Sequence, residues 1–426
     1  PKNRRTKEPE GITMDFNDTP EEAEFRAEAR AWLEANATPH RDDDEEDLLG
    51  ERIDDKTLAW CREWQAKKAE GGWACLTWPK EVGGREATPI QNVIWKQELA
   101  KYRNPPDIYG IGLGMCGPTI LTHGTDEQKQ RWIPEMMEGQ QIWCQLFSEP
   151  SAGSDLAGLR SSAVLDGDDW IVNGQKIWTT GAQFSDWGIL VLRSDPNAVK
   201  HAGLTYFVVD MHSPGIEIRP ITQINRGQGF NEVFFTDVRI PDANRIGAVG
   251  DGWRVAITTL MNERASIGGG GGAGNTADLI RAAREIEIDG RPAIENAAVR
   301  GKLADFYIRS KGLQFTGNRT LTALSRGQTP GPEASLGKLI GGVMVQDLAE
   351  FGIELAGMAG IVHDASNPTT SLWQDRFLAI PGLRIAGGTD EVLRNIIAER
   401  VLGLPPEVRL DKGIAFKDVP TGPPSN

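Results

Sequence analysis

The chain has 426 residues, 39% apolar and 25% charged, a globular composition with too much chain for one ordinary core, so two or three domains are expected. A formal net charge of −14 excludes the basic surface that nucleic acid needs, and any phosphorylated ligand has to be held by local donors in a pocket. Four cysteines without a CxxC pair and five scattered histidines give neither a disulfide framework nor a metal-ligand spacing, and no run approaches the ~20 apolar residues of a membrane span.

Residues 1–13 are basic and polar without an apolar core, so they read as a disordered extension before a natural start at Met14 rather than as a secretory signal. Cys61, Cys75, Cys116 and Cys144 read as small buried residues of a reducing compartment, and a cytoplasmic location is expected. From residue 14 to 140 the pattern is helical. Thr19-Pro20-Glu21-Glu22 is a helix start with a capping residue, a first-turn proline and acids at the positive end. Further helices are expected over 56–68, over 90–100 and from Thr125.

Between 141 and 250 the period changes to two. Asn173-Gly174 between apolar runs predicts a hairpin, and strands are expected over 187–192, 204–210, 215–219 and 232–239, together a small antiparallel β domain. From 251 to 404 the pattern is helical again, with long helices expected over 253–267, 293–324, 337–355 and 389–402. Residues 405–426 are rich in proline and glycine and read as a surface arm. The order is α, β, α.

Three segments carry chemistry. Residues 112–117 match GxGxxG, but Arg103-Asn104-Pro105-Pro106-Asp107 before them is no buried strand, so close helix packing or a wide pocket is expected instead of a dinucleotide turn. A short apolar run ends in Ser148-Glu149-Pro150-Ser151-Ala152-Gly153-Ser154-Asp155, a turn dense in hydroxyls and backbone N–H groups that suits anions and carbonyls. About 25 residues on, Lys176-Ile177-Trp178-Thr179-Thr180-Gly181 places an indole beside hydroxyls, a pairing that can cover and hydrogen-bond a flat heterocycle.

Together these residues resemble the acyl-CoA dehydrogenase family. The resemblance runs from Asp15 to Leu404 and includes His123-Gly124-Thr125, Phe235-Thr236-Asp237-Val238-Arg239-Ile240-Pro241, Asn262-Glu263-Arg264, and Gly387-Gly388-Thr389 leading to Arg394-Asn395. It implies an α+β fold with an N-terminal helical domain (14–140), a middle β domain (141–250) and a C-terminal four-helix bundle (251–404). It also implies FAD, an acyl-CoA substrate, an electron-transfer flavoprotein as acceptor, and a homotetramer or heterotetramer. By the same resemblance Gln145, Phe147, Ser148 and Ser154 line the flavin and thioester wall, while Trp178 and Thr180 pack on and hydrogen-bond the flavin ring. Thr389 and Glu391 meet FAD near the last helix, and Gly357 and Gly360 meet its adenosine half from a neighbouring subunit. Arg284 stands where an arginine reaches the FAD phosphates, and Ser154 and Arg264 contact substrate.

Dehydrogenating a saturated thioester needs a base at the α-carbon and donors at the developing enolate oxygen. In many members the base is a glutamate at the position held here by Gly387, which has no side-chain acceptor. A second branch carries its glutamate on the first helix of the C-terminal domain, where this chain has Glu263. Glu263 is therefore the expected base, with the Gly387 N–H left to meet the carbonyl. Gly268–Gly272 follows directly. Five glycines would cost about 5 kcal/mol inside a continuing helix, so the run reads either as a break between helices or as room for a bulky acyl chain. Two other functions stay open: a non-catalytic subunit of a heteromer, and a different flavin chemistry on the same scaffold.

Overall fold

The computed structural model describes residues 18–40, 53–268, 276–325, 331–332, 335–364, 367–408 and 411–420. The fold is α+β, in the expected order of helical, β and helical stretches. Helices α1 (Pro20–Asn36), α2 (Asp55–Glu70) and α3 (Pro89–Leu99) come first, and contacts divide the chain into two units. The smaller unit takes residues 1–44 and 87–104 and holds α1 and α3. Each of these starts on a capping box, Thr19 with Glu22 and Thr88 with Gln91, which satisfies N–H groups that have no partner inside the helix. Trp32 of α1 and Trp95 of α3 pack with ring centroids 5.8 Å apart.

The larger unit takes residues 45–86 and 105–426. Residues 112–117 form no dinucleotide turn: Gly112–Cys116 is one π-helical turn running into α4 (Gly117–His123). A Cβ at Gly117 would lie 2.4 Å from the Trp78 ring, so the small residues there serve close packing. Helix α5 (Asp126–Met137) then leads to the sheet.

Strands β1 (Trp143–Leu146), β2 (Ser162–Asp166), β3 (Asp169–Thr180), β4 (Trp187–Arg193), β5 (Leu204–Asp210), β6 (Ile216–Ile221), β7 (Phe230–Pro241) and β8 (Arg245–Ile246) form one sheet. Its order is β6-β7-β3-β2-β4-β5-β8, with β1 beside β4. The sheet is not purely antiparallel, because β1 and β2 both run parallel to β4. Both faces are covered. Ile189 and Val191 of β4 enter one core and Leu190 and Leu192 the other, which explains an unbroken apolar run where a half-exposed strand would alternate.

The hairpin expected at Asn173-Gly174 is elsewhere. Strand β3 runs straight through those residues, and the turn falls at Gly167, where Asp166 pairs with Asp169. Gly174 instead makes a bulge against β7, with φ +150°, and a Cβ there would sit 2.2 Å from Ser161 Oγ. Close approach of Ser161, not chain reversal, requires this glycine.

The remaining helices are α6 (Gly252–Gly268), α7 (Thr276–Glu285), α8 (Ala297–Ser325), α9 (Ser335–Ala356), α10 (Pro368–Ala379) and α11 (Asp390–Arg400). Leu279, Leu303, Phe306, Met344, Leu348 and Trp373 form the core shared by α7 to α10. Helix α6 runs as far as Gly268, and Gly269–272 lie outside the described residues. The four cysteines are buried free thiols. Among the described residues no helix is long and apolar enough to cross a membrane. The C-terminal arm lies at the surface, and over residues 411–420 it docks on the β domain through the buried Phe416. Arg193, buried at the end of β4, meets the Phe416 ring face at 3.6 Å, and this aromatic contact holds the arm against the domain.

Candidate active site

One wall of the site starts at β1. Gln145 donates from Nε2 to Glu263 Oε2 at 3.2 Å, while its Oε1 is a buried acceptor without a hydrogen-bond partner. Such an atom marks a place where a donor is expected. Phe147 turns its ring inward, edge-on to Tyr206 at 6.0 Å, so its side chain is core and only its backbone faces the turn. Ser148 is half-buried and Ser154 exposed.

The turn after β1 is closed by a residue whose role was not read from the sequence. Glu149 is buried and accepts from the backbone N–H groups of Arg160 and Ser161 at 2.6 and 3.0 Å. The Lys176 ammonium, fully buried, donates to Glu149 Oε1 at 2.8 Å and to the Phe147 carbonyl at 3.0 Å. Burial alone would raise the Glu149 carboxyl, but the Lys176 charge and these hydrogen bonds outweigh it and hold the group below its usual range. The signal was present in the sequence: a lysine inside an apolar strand pattern needs a partner.

Lys176 also fixes the next part of the wall. Ile177 N–H donates to the Ser148 carbonyl at 2.9 Å, and the β3–β7 register slips between Lys176 and Thr179. In that slip Trp178 adopts φ +60°, a left-handed conformation that is costly for a bulky side chain. Its indole is 55% exposed and touches the edge of Phe230 at 6.0 Å. A strained backbone that shows a large flat ring to solvent is the feature expected of a platform for another flat ring. Thr180 beyond it is exposed.

The other expected site residues lie on α6 and in the loop before α11. On α6 the buried Thr259 hydroxyl bonds Tyr206 Oη and Thr119 Oγ1, both at 2.9 Å. Glu263 lies four residues on, hence on the same helix face, and is half-buried against Gln145. The Arg264 side chain lies outside the described residues. In the loop before α11, Gly387 and Gly388 have φ +64° and +98°. Half-buried Lys338 of α9 donates to the carbonyls of Gly388 and Arg384 at 2.6 and 3.0 Å, and Arg384 closes on Asp390. Burial pushes the Lys338 ammonium below its ordinary value, with Asp390 opposing. The Thr389 hydroxyl caps α11 by accepting from Val392 N–H at 3.2 Å, and Glu391 is exposed on the first turn.

The other expected contacts are spread out. Gly357, with φ +56°, and Gly360 bound a turn that exposes Met358, Ile361 and Val362. Gln374 pins this turn by donating to the Gly360 and Val362 carbonyls at 2.8 and 2.9 Å. Arg284 is exposed on the last turn of α7. The structure thus joins Gln145 to Glu263, and Ser148 to the strand of Trp178, through hydrogen bonds.

Three domain profiles match in chain order: the acyl-CoA dehydrogenase N-terminal domain over 19–140, the middle domain over 144–238 and the C-terminal domain over 250–402. A relative, acyl-CoA dehydrogenase IpdE1 of Mycolicibacterium smegmatis, is 36% identical over 412 residues, covering 91% of this chain and 98% of its own. The chain belongs to the acyl-CoA dehydrogenase family. It is accordingly an oxidoreductase acting on acyl-CoA, in a family of flavoproteins. Acyl-CoA dehydrogenase FadE34 of Mycobacterium tuberculosis is 41% identical over 80% of this chain, which spans about half of that longer relative, 46%. Among solved structures, the Tcur3481-Tcur3483 steroid ACAD superposes with a TM-score of 0.78 at 27% identity, covering 92% of this chain and all of that one (100%).

Proposed function

We propose that this acyl-CoA dehydrogenase forms the 2-enoyl thioester, with Glu263 as the base for the α-proton and FAD as the cofactor. The observation that carries the reading is the Gln145–Glu263 hydrogen bond, which brings the α6 carboxylate to the wall formed by β1 and the 148–155 turn. Gln145 holds one Glu263 carboxylate oxygen by its amide at 3.2 Å, and a base for the α-proton has to stand within hydrogen-bond reach of it. Gly387 supplies no acceptor, and its backbone N–H is assigned to the thioester carbonyl, where a donor stabilises developing negative charge.

The residues present fit FAD. Trp178 offers an exposed flat face, Gln145 Oε1 a buried acceptor, and Ser148 and Thr180 neighbouring hydroxyls. When bound, FAD supplies the acceptor for the β-hydride. Thr389 and Glu391 at the start of α11 hold it near the last helix, and Arg284, Gly357 and Gly360 belong to its phosphate and adenosine end. Ser154 and Arg264 are assigned to substrate. The exposed apolar turn at Met358 and Ile361 supports a subunit contact there, in a homotetramer or heterotetramer. Electron-transfer flavoprotein is the proposed acceptor. Similarity to a steroid ACAD supports a ring-bearing acyl group.

Gly387 favours one second reading, a subunit whose working base lies in a partner chain. Anaerobic titration of the purified chain with a panel of acyl-CoAs separates the two. Loss of visible flavin absorbance that falls about 10²–10⁴-fold in rate in Glu263→Gln supports the first. Absorbance loss only after a partner chain is added, or unchanged rates in Glu263→Gln, would overturn it.

A further inference from the structure

The last matched residue of the C-terminal domain is 402, yet residues 411–420 are built into the molecule. We propose that this segment is a strap whose Phe416 and Asp411 position the 154–159 part of the turn and so set how tightly the acyl-CoA is held. The proposal rests on the assignment of Ser154 to substrate.

The strap is laid along the β4–β5 connection. Phe416 N–H donates to the Ala198 carbonyl and Lys417 N–H to the Pro196 carbonyl, both at 2.9 Å, and Ala415 bridges to Val199. From there two separate links reach the turn. In the first, Phe416 covers the Arg193 guanidinium at 3.6 Å, with Arg160 on the same ring at 5.2 Å. Arg193 donates from Nη2 to the Ala157 and Leu159 carbonyls at 2.6 and 3.4 Å, and from Nη1 to the Lys200 carbonyl at 2.5 Å. In the second, Lys200 stands between Asp411 of the strap and Asp155 of the turn, 2.7 Å from each carboxylate.

A buried guanidinium keeps its hydrogen bonds to carbonyls only while water is kept away from it. Phe416 is the ring that covers it, and burial already pushes Arg193 down to about 10. Removing Phe416 admits water, which competes for the carbonyls of residues 157 and 159. Removing the Asp411 charge cuts the link that ties Lys200, and with it Asp155, to the strap. Both changes loosen the residues that follow Ser154. Neither change removes a hydrogen-bond partner of Lys176, the residue that fixes the strand of Trp178. Phe416 and Asp411 are positioning residues, since they act on Ser154 through others.

The test compares Phe416→Ala, Asp411→Asn and the conservative Phe416→Trp in the full chain. Hydrogen exchange of amides 153–161 is expected to rise about tenfold in the first two variants and to return towards wild type in Phe416→Trp. KM for the preferred acyl-CoA is expected to rise about three- to tenfold, with kcat within about twofold and flavin content unchanged. The Kd of the same thioester, measured in a Glu263→Gln background without turnover, should rise in parallel, so a failed assignment of the base is distinguishable from a failed strap. Exchange that rises across 411–420 but not across 153–161 would overturn the proposal. Coupled exchange with unchanged KM and Kd would overturn it equally.

Discussion

Two buried glutamates, one in each unit, show how the same chemical problem is solved for different ends. Glu98 on α3 is ringed by three cations: Arg26 at 3.0 Å, Arg30 at 3.2 Å and Lys101 at 2.7 Å. Glu149 has one ammonium and two backbone N–H groups. Side-chain cations on flexible stems tie helices together but carry little geometric information. Backbone N–H groups fix the path of the chain itself. Glu98 therefore stabilises the α1–α3 pair, whereas Glu149 shapes the turn and, through Lys176, the strand that presents Trp178.

The largest expected effect breaks the second arrangement. Lys176→Met leaves the Glu149 carboxylate buried beside two N–H groups without its cation, which costs about 3–5 kcal/mol. Denaturant unfolding should show that loss, and flavin content should fall with it. Adding Glu149→Gln to the variant should recover part of the stability, a coupling that a double-mutant cycle reads directly. Full additivity would mean that the two residues do not act as a unit.

Glu98→Gln should cost less, about 2 kcal/mol, because Arg30 and Lys101 are half exposed and solvent screens them. Burial opposes ionisation at Glu98, but Lys101, Arg30 and Arg26 together lower its pKa from 4.5 to about 2. A depressed carboxyl contributes stability that is present above its unfolded value and is lost as pH falls through its folded one. Wild-type protein should therefore lose this contribution between about pH 4.5 and 2, and the difference between wild type and Glu98→Gln should shrink across that window. Flavin content at pH 7 should not change. An equal loss of flavin in Glu98→Gln would erase the distinction drawn between the two glutamates.

Much of this was legible in the sequence where a local rule decides. The Thr19-Pro20-Glu21-Glu22 start placed α1, and the ordered motifs placed Gln145, Glu263 and Trp178 on one fold. What was not legible depends on contacts between distant segments. Asn173-Gly174 has the chemistry of a hairpin turn, yet Ser161 packs against Gly174 and the turn moves to Gly167. Residues 411–420 have a loop composition, and Phe416 is buried there against the distant Arg193 and Arg160 guanidinium groups. The roles of Lys176 and Lys338 share that cause. Each holds carbonyls that lie 29 or 50 residues away in the chain, Phe147 and Gly388.

The smallest expected effect on stability sharpens the comparison most. Trp178 is exposed and held at φ +60°, so Trp178→Leu removes little buried surface and leaves the backbone conformation unfavourable as before. Stability should change by less than about 0.5 kcal/mol, as at exposed positions generally. Flavin affinity should nevertheless fall about tenfold, since an aromatic stacking contact is worth on the order of 1 kcal/mol beyond its area. The two readouts then separate what Lys176→Met combines. If Trp178→Leu keeps flavin affinity intact, the strained register slip between Lys176 and Thr179 serves the fold of the sheet and not a ligand. If affinity falls while the unfolding midpoint stays, the Glu149–Lys176 pair stabilises the sheet and holds the indole in place at once, a double duty that Glu98 does not have.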